Sequence, residues 1–115
     1  MFEVGRERFE ELVTDALDGI PDELARLVQN CVVTVEDDSP DGRGRLLGLY
    51  QGIPLTGRGS GYTMVLPDKI TIFRNPILGI CTSETEVVEQ VRTTVVHEVG
   101  HHFGIDDQRL RELGY

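Results

Sequence analysis

The only histidines in this chain are His97, His101 and His102, and all three fall in one short stretch. From 97 to 107 the residues read HExxHHxGxDD. On a helix, side chains four apart stand one turn apart on the same face, so His97 and His101 can share a metal ion. Glu98 lies beside them on the helix circumference. A carboxylate there can take a proton from water activated by a metal, which is the chemistry an HExxH helix carries in zinc hydrolases. His97 and His101 are therefore the expected metal ligands, Glu98 the expected catalytic base and Zn2+ the expected cofactor.

Catalytic zinc keeps three protein ligands and one open position. The third ligand must follow a turn that brings the chain back, and Gly104 stands where such a turn is needed. Asp107 occupies the last place of the extended HExxHxxGxxH/D pattern and is the expected third ligand. Its competing role is to cap or open a final helix, which Asp106 can do instead. His102 is turned about 100° from His101 and is assigned to packing or to support of the ligands. Gly100 is costly inside a helix and predicts a closely approaching neighbour. Cys81 precedes the motif but is separated from it by about 20–24 Å of expected helix, so a buried thiol is expected there.

These residues need a helix to hold them. Ser83 and Glu86 have capping-box spacing, and Val87, Val88, Val91, Val95 and Val99 follow at helical intervals, predicting one helix from Glu84 to His102. Its β-branched stretch 91–96 is poor in helix propensity, so burial has to hold it. Upstream, Phe9, Leu12, Val13, Ala16 and Leu17 predict an amphipathic helix from Arg6 to Asp18, and Pro21-Asp22-Glu23 opens a short second one reaching about Val28. Strands are expected at 31–36, 46–51 and 69–74, with a fourth at 62–66. Between them, the glycine-rich 52–61 lacks the ending of a phosphate-binding loop and is expected as a surface loop able to border a cleft. A short helical turn should follow Asn75-Pro76. Asp106 or Asp107 should start a last helix with Leu110 and Leu113 facing inward. The fold class is α+β, a small mixed β-sheet packed on a long HExxH helix, with helices at both ends.

The 115 residues make one domain, 1–115. Twenty acidic against eleven basic residues give a net charge of −9, which argues against phosphate backbones and anionic membranes as partners. No nucleic acid and no membrane is expected; a peptide or protein substrate, neutral or cationic, remains. Metal-dependent nucleic-acid processing also uses histidine-rich motifs, but the charge and the glutamate at 98 speak against it. There is no apolar run of transmembrane length and no apolar core of a signal peptide near Met1, so a cytoplasmic location is expected, with Cys31 and Cys81 as reduced thiols.

Three blocks, LLGLYQGIPLT at 46–56, LPDKITIFR at 66–74 and VHEVGHHFG at 96–104, give the chain a resemblance to the short, single-domain zincin-like metallopeptidase family of bacteria. The resemblance covers residues from about Val32 to Tyr115. It implies a minimal zincin fold, zinc at His97 and His101, and Glu98 as catalytic base. Larger metzincins usually carry a third histidine where Asp107 stands and a methionine-containing turn beyond it, for which the short stretch after Asp107 has no room. Their downstream Tyr or His that steadies the tetrahedral intermediate is not expected here either, unless Tyr50, Tyr62 or Tyr115 folds in for that task. Two functional expectations follow. One is a zinc-dependent metallopeptidase; the other is a noncatalytic zinc-binding or interaction module on the same fold.

Overall fold

Phe9, Leu12, Val13 and Ala16 recur at helical spacing and are all buried along α1 (Arg6–Asp18). In the computed structural model, which describes residues 2–29, 31–40, 42, 46–52 and 68–115, α1 is followed by α2 (Asp22–Val28), β1 (Cys31–Glu36), β2 (Gly48–Gln51), β3 (Asp68–Phe73), α3 (Arg74–Ile80), α4 (Glu84–His102) and α5 (Asp107–Glu112). The strand expected at 62–66 and nearly all of the glycine-rich stretch lie outside the described residues.

The sheet has the order β1-β3-β2. β1 runs parallel to β3, pairing Cys31 with Asp68 through to Glu36 with Phe73, and β2 runs antiparallel, pairing Gly48 with Ile72 and Gln51 with Lys69. The central strand is covered on both faces, so Ile70, Thr71, Ile72 and Phe73 are all buried, the pattern of a strand between two layers. β2 is shorter than expected by two residues at its start, although Leu47 still accepts a hydrogen bond from the Phe73 N–H at 3.0 Å. β3 begins and ends one residue early because Arg74 opens α3. Pro76 then falls in the first turn of that helix, where its missing N–H costs nothing. The Arg74 guanidinium donates to Asp37 Oδ1 at 3.0 Å and to the Val4 carbonyl at 2.6 Å, tying this junction to the start of the chain.

α4 is the element against which the others are laid, touching α1, α2, α3, α5, β2 and β3. Val87, Val91, Val95, Val96 and Val99 are completely buried along it. Each such side chain contributes about 1.5–3 kcal/mol by leaving water, several times the few tenths that valine costs in helix propensity. That surplus is why a β-branched stretch stays helical. Arg92 also donates from Nε to the Ala16 carbonyl at 3.0 Å, a second partner beside the Gly19 N–H for an acceptor at the end of α1. Among the described residues, no helix is long and apolar enough to cross a membrane.

Candidate metal centre

The start of α4 is set by Ser83, whose hydroxyl accepts from the Glu86 N–H at 3.2 Å. Glu86 reaches back one residue beyond the cap, where Oε1 accepts from the Thr82 N–H at 2.9 Å and from the Thr82 hydroxyl. These bonds hold its carboxyl below the usual glutamate range. From this fixed start, α4 runs for 19 residues and brings His97 and His101 to its last turns. Val96, Val99 and Gly100 are buried behind them. The two imidazole rings lie 5.8 Å apart, centroid to centroid, with their planes at 74°.

The helix ends in a turn that only glycine makes without strain. Gly104 has φ +75; its N–H donates to the His101 carbonyl at 3.3 Å and the Ile105 N–H to the Gly100 carbonyl at 2.7 Å, the paired bonds of a Schellman motif. The chain reverses and α5 begins at once. Asp106 is its N-cap, accepting from the Arg109 N–H at 2.8 Å. Of the two aspartates considered for that role, the side chain at 106 performs the capping, and the one at 107 faces the histidines.

Packing fixes how far α5 stands from α4. Leu110 is completely buried, and its methyl groups would lie 3.1 Å from a Cβ built on Gly100. The close neighbour expected at Gly100 is therefore Leu110. On its outer side, α5 is held to α2 by Arg109, which donates to Glu23 at 2.7, 2.9 and 3.2 Å. This pair joins residues far apart in the chain, and no local pattern in the sequence links them.

As a result, one ligand atom from each of His97, His101 and Asp107 lies within 4.8 Å of the others, and among the described residues this is the only such group of three His, Cys, Asp or Glu side chains. His101 Nε2 and Asp107 Oδ1 are 3.4 Å apart, with both side chains well exposed at 62% and 69%. Ligand bonds of about 2.0–2.2 Å in a tetrahedron put neighbouring donor atoms about 3.3–3.6 Å apart. That edge is therefore already at the right length, and the separations to His97 are no more than 4.8 Å. Two imidazoles and one carboxylate are a donor set that suits zinc, and the residues present fit it. Cys81 is buried before the far end of α4, where burial, followed by the charge of Glu86, pushes its thiol up.

Glu98 is half-buried and borders a groove of about 290 Å³, together with Leu46, Leu47, Gly48, Gln90, Thr93, Thr94 and His97. β2 and the residues leading into it form one wall and α4 the other. His102 takes no place in the group of three. It stacks on Tyr50, whose hydroxyl donates to Asp68 at 2.6 Å. Burial first, then that hydrogen bond, pushes the Tyr50 phenol far above its ordinary range, so it remains a donor. Tyr50 is thus engaged within the sheet, Tyr115 donates its N–H to the Leu110 carbonyl at 2.8 Å, and Tyr62 lies outside the described residues.

Compared with known families, the chain matches the one described as zincin-like metallopeptidase over residues 28–115. The match spans the sheet, α3, α4 and α5, and with them the whole of the group just described. It leaves α1 and nearly all of α2 outside. No curated protein matches the chain.

Proposed function

The chain belongs to the zincin-like metallopeptidase family, and from that premise we propose that it is a zinc-dependent hydrolase of peptide bonds, with His97, His101 and Asp107 as metal ligands and Glu98 as general base. The observation that carries this is the convergence of three ligand atoms within 4.8 Å at one end of a groove that Glu98 also borders. Zinc bound by this set would supply Lewis acidity, polarising the scissile carbonyl and making water a competent nucleophile near neutral pH. The Glu98 carboxylate takes the proton of the attacking water and passes it to the leaving amine. Beside it, β2 pairs with β3 on one side; among the described residues no strand pairs with its other edge, which suits an extended peptide bound through main-chain hydrogen bonds. Leu46, Leu47, Thr93 and Thr94 line the groove with apolar and hydroxyl groups, which suits a neutral side chain. The net charge of −9 favours neutral or cationic peptides and disfavours nucleic acid.

The test is cleavage of a peptide library by the full chain loaded with zinc, repeated after a chelator has stripped the metal and again after zinc is restored. Cleavage that disappears with the metal and returns with it is the expected result. Stoichiometric zinc with no cleavage of any member would make the protein a noncatalytic zinc-binding module instead.

A further inference from the structure

His102, the last residue of α4, stands next to a proposed ligand but joins a different group. Its ring lies on that of Tyr50 from β2, with centroids 3.9 Å apart and planes 22° from parallel. Phe103 closes the pair edge-on, at 5.0 Å from His102 and 6.2 Å from Tyr50. The Tyr50 hydroxyl donates to Asp68 Oδ2 at 2.6 Å, and the same oxygen stands 3.9 Å from His102 Nε2. Cys31 Sγ lies 3.4 Å from that hydroxyl. Side chains from all three strands thus gather around one hydroxyl beneath the end of α4.

A second contact fastens β2 to the same helix. A Cβ on Gly48 would lie 2.7 Å from Thr94 Cγ2, so glycine is what permits β2 to lie this close to α4 at that point. β2 is therefore held to α4 at Gly48 by Thr94 and at Tyr50 by His102. His97, Glu98 and His101 fall on α4 between those two positions.

We propose that the stack of His102 on Tyr50, anchored by Asp68, is a positioning device that sets the spacing between β2 and the His97–Glu98 face of α4. Its consequence for peptide fit rests on the hydrolase reading; the clamp itself does not. Among the described residues, the groove opens between 46–48 and 90–98, at the Gly48 contact, and the His102 stack holds the same strand to α4 further along the helix. The Gly48 contact is backbone against the Thr94 side chain, whose hydroxyl donates to the Gln90 carbonyl at 2.8 Å. The His102 contact is made by a side chain that is 40% exposed, so its loss leaves the core intact while freeing one end of β2. An aromatic pair of this kind shifts an equilibrium by about two- to tenfold.

The experiment compares His102→Ala with His102→Phe in the zinc-loaded full chain. His102→Ala is expected to raise KM for a cleaved peptide by about two- to tenfold, with kcat and zinc affinity held within about twofold. Amide exchange at residues 49–51 should quicken by a similar factor. His102→Phe keeps a flat ring on Tyr50 and should restore both KM and exchange. Lost zinc affinity in His102→Ala would make His102 a ligand and overturn the proposal, as would unchanged exchange at 49–51 or a phenylalanine variant as impaired as the alanine one. Faster exchange with unchanged KM would overturn the link to peptide fit. If the unmodified protein cleaves no peptide, the hydrolase reading fails separately, and exchange at 49–51 still decides whether the clamp exists.

Discussion

Glu98→Gln is expected to lower kcat by about 10²–10⁴ while zinc content and melting temperature stay as they are. Glu98 is not among the three residues whose ligand atoms converge, so its loss should leave the metal in place. Its side chain is half-buried at the groove wall and outside the core, and glutamine preserves its size and its capacity to hydrogen bond. What glutamine cannot do is accept a proton from water and return it to a leaving amine. The defect should therefore fall on kcat, with KM changed little. If peptide cleavage persisted at the original rate, the assignment of Glu98 as base would be wrong. If the variant lost zinc together with activity, Glu98 would be a ligand.

The two adjacent aspartates should fail in opposite ways. Asp106→Ala removes the acceptor for the Arg109 N–H at the start of α5 and should destabilise the fold by about 1 kcal/mol, with the melting temperature falling and zinc affinity changing little. Asp107→Ala removes a side chain that is 69% exposed, and its absence from the helix N-terminus costs only a few tenths of a kcal/mol. Zinc affinity, in contrast, should drop by more than the roughly 10–100-fold that loss of an outer partner of a ligand produces. Thermal melts and zinc competition titrations of both variants measure this directly. Equal affinities in the two variants would remove Asp107 from the ligand set.

Much of this arrangement was legible from local pattern. The bounds of α1 and α4 follow from the period of their apolar residues and, for α4, from Ser83 and Glu86 at its start. β1 stands out because Val32, Val33, Thr34 and Val35 are β-branched and bounded by turn residues. The Gly104 turn was legible because the proposed third ligand required the chain to reverse there, and glycine adopts the required φ freely. Asp106 and Asp107 stayed ambiguous in sequence because both are chemically fit to cap or to ligate; only the direction of the chain after Gly104 separates them. The parallel pairing of β1 with β3 was hidden, since the two strands are brought together through intervening chain and no local period reports register. Glu23 with Arg109, and Tyr50 with Asp68 and His102, were invisible for the same reason. Each pair is a contact between elements far apart in sequence, and each residue taken singly looks like ordinary surface or packing.

Zinc stoichiometry of the purified full chain, set beside that of its His97→Ala variant, tests the centre most directly. His97 is half-buried on α4 with Val96 and Val99 packed behind it, so its truncation should remove a ligand without disturbing the fold. One zinc per chain in the unmodified protein, and none retained by the variant after dialysis at unchanged melting temperature, is the expected result. Metal content that does not depend on His97 would contradict the assignment of this site.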